Sequence, residues 1–331
     1  MTADAEQIRP SVTVIVVTWR RPSFVRTCLA ALDASIPPAH QVLVVDASED
    51  DQTAQVVAAY PAVRRLPFPA GAGHMTTARN YGLLHATGDI IAFIDDDANV
   101  RPTWLGELRR AHDEPRAGAV AGRTCDGDAV DPSQGADAIG LLLPNGELTG
   151  HFAADPGEFV DIHHGIGANM SFKREVLAQL GGFRDDFPGT ALREDSDIFL
   201  RVRALGYRAV FAPDAVVDHV GAPHVRGQRF DFRYMFWARH NHMLLLARNL
   251  GLGSPVFRHW VAVQIRGSAR PSDVTRVRWF LRQQAARVAV VAGLANSLRK
   301  AHWLPTPPQR ADRTGRRIQA ALLGGPKTKI A

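Results

Sequence analysis

The chain has 331 residues, of which 46% are hydrophobic, enough for one large domain with an appendage around a true buried core. Its two cysteines, Cys28 and Cys125, form no CxxC pair, which argues against a disulfide framework or a structural zinc site, and no apolar run approaches the ~20 residues that span a bilayer. The net charge of +6 conceals a division: residues 1–225 carry 19 Lys and Arg against 30 Asp and Glu, whereas residues 226–331 carry 20 against 3.

The first residues, MTADAEQIRPS, are partly acidic and hold no apolar segment, so no secretory signal is expected and the chain is expected in the cytoplasm. Val12 to Val17 is a β-branched apolar run, which predicts a buried strand of a parallel sheet. Residues 18–23 form the turn after it, and Pro22 fits the first turn of a helix whose apolar positions are Phe24, Cys28 and Leu32. A second strand, Val42 to Val45, ends in Asp46, and a helix containing Val56, Val57 and Tyr60 follows the acidic turn Glu49-Asp50-Asp51. A loop with Gly71 and Gly73 leads to a helix over Thr76 to Ala86, closed by Gly88. Ile90 to Ile94 is again apolar on both faces and runs directly into Asp95-Asp96-Asp97. Further on, a strand is predicted at Asn169 to Phe172, a helix from Lys173 to Leu180 stopped by Gly181-Gly182, and a helix from Glu194 to Leu205 stopped by Gly206. Strands at Arg208 to Phe211 and Ala215 to Asp218 come next, with His219 at the end of the second. Residues 231–250 and 276–301 read as helices, and the basic end RTGRRIQAALLGGPKTKIA reads as frayed. No internal repeat is present.

Strand and helix alternation of this kind predicts an α/β sandwich with right-handed crossovers, in which ligands bind at the carboxyl ends of the strands. Thr18, Asp46 and Asp95 to Asp97 each follow a strand at once, so three distant segments are expected to meet on one sheet edge. Three consecutive carboxylates repel one another, and a cation should relieve them. Asp95 and Asp97 are spaced to place oxygens on one hard divalent ion, Mg²⁺ or Mn²⁺, that also binds a diphosphate. The plain alternative is a solvated acidic turn.

Taken in order, VTVIVVTWRRPSFVRTCLAAL, VLVVDASEDDQT, TARNYGLLHATGDIIAFIDDDANVRPTWL and LREDSDIFLRVRALGYRAVFAPDAVVDH resemble family-2 glycosyltransferases over roughly residues 11–220. The resemblance implies a GT-A fold, a Rossmann-like, mostly parallel sheet flanked by helices, here with a basic helical C-terminal extension. It places a catalytic domain over 1–225, with a nucleotide-sugar half at about 11–125 and an acceptor half at about 126–225, followed by the basic region 226–331. It implies an inverting transfer of a sugar from a UDP-, dTDP- or GDP-linked donor to a glycan, lipid-linked or small-molecule acceptor, in polysaccharide or glycoconjugate biosynthesis. By the same resemblance Trp19 stacks on the base beside Thr18, Asp46 reads the base edge, Arg79 lies near the base, and Asp95 sits near the ribose and metal-bound waters, with Asp96 counted among the nucleotide-binding residues. Asp97, Asp95 and His219 are the implied metal ligands, Asp195 the general base, and Glu194 the group that orients the loop or the acceptor. Trp19-Arg20 stands where most relatives have Tyr-Asn, and Arg20 adds a donor for a phosphate or base. Each residue also has a bland reading: surface packing for Trp19, a helix-face salt bridge for Arg79, a structural histidine for His219, and helix capping for Glu194, Asp195 and Asp197.

No GxGxxG follows the first strand and no P-loop is present, which disfavours a dinucleotide dehydrogenase or a P-loop enzyme. Two other classes remain. One is a phosphohydrolase with an aspartate nucleophile at Asp95 and Asp97; the other is a non-catalytic protein whose basic end grips membrane or nucleic acid. Under the enzyme reading nucleic acid is not an expected partner. Arg276, Arg278, Arg282 and Arg287 interleave with Val277, Trp279, Phe280 and Leu281, a pattern that fits peripheral attachment to an anionic leaflet at the inner face of the cell membrane, capture of a phosphate-carrying or lipid-linked acceptor, or ordinary helices packed on the catalytic domain with arginines outward.

Overall fold

The computed structural model describes residues 9–68, 71, 73–127, 131–189, 191–221, 231–267 and 275–324. In chain order β1 (Val12–Thr18), α1 (Pro22–Asp33), β2 (Gln41–Asp46), α2 (Gln52–Ala58), β3 (Val63–Pro67), α3 (Met75–Leu83) and β4 (Ile90–Asp95) alternate strand and helix. They are followed by β5 (Ala98–Val100), α4 (Trp104–His112), β6 (Ala117–Cys125), β7 (Val160–Asp161), β8 (Asn169–Lys173), α5 (Arg174–Leu180), α6 (Glu194–Ala204) and β9 (Arg208–His219). Four helices complete the described chain: α7 (Phe232–Leu250), α8 (Pro255–Arg266), α9 (Arg276–Arg299) and α10 (Arg313–Leu323).

The continuous apolar strands are buried on both faces, because the sheet has helices above and below it. Val12, Val14, Val16, Val44, Ile90, Ala92 and Ile94 join one core with Val25, Cys28 and Leu29 of α1 and Trp104, Leu105 and Leu108 of α4. Their strand neighbours Ile15, Leu43, Val45, Ile91 and Phe93 point the other way, into a second core with α3, α5 and α6. The strand order is β3-β2-β1-β4-β8-β6-β9-β5, with β7 added on β9. β1 to β4 pair in parallel, whereas β8 enters antiparallel between β4 and β6, so the second half of the sheet is mixed.

Two expectations change. The predicted strands at 208–211 and 215–218 are one strand, β9; Pro213 and Asp214 look like a turn in sequence but are absorbed at a register shift opposite Gly122 and Thr124. The basic end is not frayed over residues 313–323. There α10 packs on α5 and α3, with Ile318 and Leu322 buried in the second core. Asp312 caps it by accepting a 2.8 Å bond from the Gly315 amide. Arginines on its outer face hid a short apolar stripe.

Beyond the sheet, Met243, Leu246 and Ala247 of α7 form a separate core with Phe257 and Trp260 of α8 and Val290 of α9. His242 of α7 reaches back and bonds the Gly146 carbonyl at 2.7 Å, which ties this layer to the turn at 143–147. Among the described residues no helix is long and apolar enough to cross a membrane.

Candidate active site

The carboxyl ends of β2, β1 and β4 lie side by side: Thr18 pairs with Asp46, and Val17 with Asp95. The polar residue closing each strand therefore arrives at the same edge, as expected. Thr18 donates a 2.7 Å bond to Asp96, which Arg21 also holds at 3.1 Å. Burial pushes the Asp96 carboxyl up to about 6 against the pull of Arg21. Asp46 is buried and tied to Arg65 of β3 at 2.8 Å and to the Ser48 amide at 3.0 Å. Trp19 and Arg20 lie on the outer side of this edge; the guanidinium stacks 5.1 Å from the indole centroid and pairs with Glu49 at 2.8 Å.

Asp95, Asp97 and His219 converge. One ligand atom from each lies within 4.8 Å of the other two. His219 comes from the far end of β9, which pairs with β5 directly after the acidic loop, Ala98 opposite His219. Its Nε2 is 3.3 Å from Asp97, and its Nδ1 is 2.8 Å from Asp126. The hydrogen bond to Asp97, the Asp97 charge and the Asp126 bond raise the imidazole to about 9. Two carboxylates and an imidazole held on the far side by a third carboxylate form a donor set suited to a divalent cation.

The second half of the site joins the first through Arg79 of α3, one of the largest fully buried side chains. Its guanidinium bonds Asp95 at 3.1 Å, the Gly167 carbonyl at 3.2 Å, and Glu194 at the start of α6. Burial pushes the Glu194 carboxyl up to about 7 despite this pairing, and its Oε2 is buried with no hydrogen-bond partner among the described residues. Asp195 is partly exposed beside it, accepting bonds from the Gly167 amide at 3.2 Å and the Ser196 amide at 2.7 Å. Arg193, just before α6, adopts a left-handed backbone with φ 81°, and its Nε is buried without a partner among the described residues. His164 bonds the Thr149 carbonyl at 2.8 Å, while His163 accepts from the Leu142 amide at 2.8 Å, so both histidines brace the turn beside the site.

Thr18, Asp46, Arg79, Asp95, Asp96, Asp97, Glu194, Asp195 and His219 thus connect through shared bonds or adjacent strand ends, with Trp19 and Arg20 at the rim. Asp197 instead turns inward, to Arg184 at 2.9 Å and Asn249 at 2.9 Å. Burial opposes its charge, but Arg184, Arg201 and Arg248 together hold its carboxyl below the ordinary range. Sequence reading did not single out Arg21, Arg65, Asp126, Gly167 or Arg193. Asp126 could have been found, since it follows β6 at once, the same signal that marked Asp46 and Asp95. The others are identified only by their partners.

A family model described as glycosyl transferase family 2 matches residues 13–181. The chain is 26% identical over 209 residues to succinoglycan biosynthesis protein ExoM of Rhizobium meliloti, a match that covers 61% of this chain and 64% of ExoM. It is 29% identical over 222 residues to the glucosyl-dolichyl phosphate glucuronosyltransferase of Haloferax volcanii, covering 63% of this chain and 68% of that protein. In structure it is similar to the mannosyltransferase PcManGT from Pyrobaculum calidifontis, solved with GDP-Man and Mn²⁺, at a TM-score of 0.50 and 23% identity over 96% of this chain and 86% of the other.

Proposed function

Since the chain belongs to glycosyl transferase family 2 and has the GT-A fold, we propose that it transfers a sugar from a nucleotide diphosphate donor to an acceptor hydroxyl with inversion at the anomeric carbon. One observation carries this reading: a single buried guanidinium, Arg79, ties Asp95 of the Asp-Asp-His cluster to Glu194, the neighbour of Asp195. Donor-phosphate chemistry and acceptor chemistry therefore share one floor. The aspartyl-phosphate reading loses its basis with the family assignment.

In this reading Asp195 takes the proton of the acceptor hydroxyl as its oxygen attacks the far face of the anomeric carbon. The Gly167 and Ser196 amides donate to its oxygens and fix their position at the start of α6. Glu194 Oε2 and Arg193 Nε, buried without partners among the described residues, are the groups that sugar hydroxyls or an acceptor anion would satisfy. Trp19 offers a stacking face for the base, Asp46 a base-edge acceptor, and Arg20 a contact to base or phosphate. Asp95, Asp97 and His219 would hold the divalent ion, Mn²⁺ or Mg²⁺, which when bound would offset charge on a departing diphosphate. The names of the relatives, with dolichyl phosphate and succinoglycan, support a lipid-linked or glycan acceptor in polysaccharide or glycoconjugate assembly, and the GDP-Man of the structural neighbour supports a nucleotide-sugar donor.

The test is a panel of UDP-, dTDP- and GDP-sugars scored by thermal stabilisation with and without Mn²⁺. One donor should stabilise the protein, and only with the metal present. Asp195→Asn should keep that stabilisation while transfer falls about 10²–10⁴-fold. Full transfer by Asp195→Asn would remove it from the role of base.

A further inference from the structure

α9 has two unlike faces. Ala286, Ala289, Val290, Gly293 and Ser297 are buried on the side packed against α7, so closely that a Cβ on Gly293 would stand 2.8 Å from the His240 carbonyl oxygen. On the opposite side six apolar residues are exposed: Val277 at 69%, Phe280 at 55%, Leu281 at 56%, Val288 at 59%, Val291 at 63% and Leu298 at 54%. At helical spacing they fall within an arc of about 100°, along a helix about 36 Å long. Trp303 and Leu304, just past its end, are exposed as well. Scattered surface apolar residues need no explanation, but a straight stripe of them facing away from the core marks an interaction surface.

The stripe has basic margins. Arg276 and Arg287 flank it on one side and Arg278 on the other, and no acidic residue occurs between Arg276 and Ala311. A second copy docking here through a two-fold axis would set these arginines against their own images with no carboxylate on the helix to answer them. An anionic lipid surface answers both features at once: headgroup charge for the arginines, and the acyl boundary for the stripe. We propose that α9 is an in-plane docking helix that holds this protein on an anionic bilayer surface through its Val277–Leu298 stripe. The inference stands on α9 alone and does not depend on which sugar is transferred.

The test is flotation of the full chain with vesicles of phosphatidylcholine containing about 30% phosphatidylglycerol, against phosphatidylcholine alone. Two variants accompany it: Phe280→Ser/Leu281→Ser/Val288→Ser/Val291→Ser, and Arg276→Gln/Arg278→Gln/Arg282→Gln. All these positions are exposed, and circular dichroism melts should confirm that both variants keep the fold. The wild type should float with the anionic vesicles about tenfold better than with neutral ones; the serine variant should lose about tenfold in binding, and the glutamine variant should lose the preference for anionic lipid. About 0.5 M salt should weaken the wild type in the same way as the glutamine variant. Equal flotation of the serine variant, no flotation of the wild type at low salt, or a wild-type dimer abolished by the serine substitutions without vesicle binding would each overturn the proposal. Donor-dependent thermal stabilisation should be unchanged in both variants, so failure here is separable from failure of the transfer reading.

Discussion

Asp126 decides which nitrogen of His219 faces the acidic loop. By accepting from Nδ1 at 2.8 Å it leaves Nε2 toward Asp97, so the ring, charged below about pH 9 without metal, would present the Nε2 lone pair to a cation that displaces its proton. Asp126→Ala should therefore weaken Mn²⁺ binding about 10–100-fold, read as free Mn²⁺ by electron paramagnetic resonance, while the metal-free melting temperature stays put. Unchanged affinity would show that His219 needs no such brace. Arg79 carries a different load. With its side chain 2% exposed it neutralises two carboxylates that α3 does not itself supply, and one of them lies 115 positions away. A salt bridge was one of the two readings open from the sequence, but not this partner: helical spacing predicts neighbours three or four residues distant.

At the scale of elements, α6 divides the acids of its first turn between two tasks. Glu194 and Asp195 face Arg79 and Gly167, whereas Asp197 is buried among Arg184, Arg201 and Asn249. The sequence Glu-Asp-Ser-Asp shows three acids at a helix start and nothing of this division, which depends on which face meets the core. α10 teaches the same lesson in reverse. Its arginines suggested a solvated end, yet Ile318 is fully buried among residues of α3 and α5. Ile318→Ala should cost about 2–5 kcal/mol in urea unfolding, the range for a buried large-to-small change. A loss below about 0.5 kcal/mol would mean that α10 rides on the surface.

For the molecule as a whole, two buried histidines set an acid limit. His112 bonds the Ser171 hydroxyl at 2.9 Å and His242 the Gly146 carbonyl, and burial lowers each imidazole to about 3. Both stay neutral in the fold, while the unfolded chain takes up protons near pH 6.5. Above that pH they contribute nothing; below it stability falls toward pH 3, by up to ~1.4 kcal/mol per pH unit for each histidine. Glu194 and Asp96, whose carboxyls burial holds high, act with the opposite sign over this range, so the check is the gap in urea midpoint between the wild type and a His112→Gln/His242→Gln variant from about pH 7 to pH 5: it should narrow as pH falls, and a constant gap would contradict the burial of both rings. The same whole-chain view separates what the sequence settles from what it leaves open. β1, β2, β4 and the acidic loop were legible because apolar runs and the polar residues that abut them are local patterns, fixed by the two-sided burial of a parallel sheet. The strand order that carries His219 to Asp97, the pairing of Arg79 with Glu194 and the seat of α10 were not legible. Each is a contact between distant segments, chosen by how sheet and helices stack, and no local periodicity records which distant side chain will answer a buried charge.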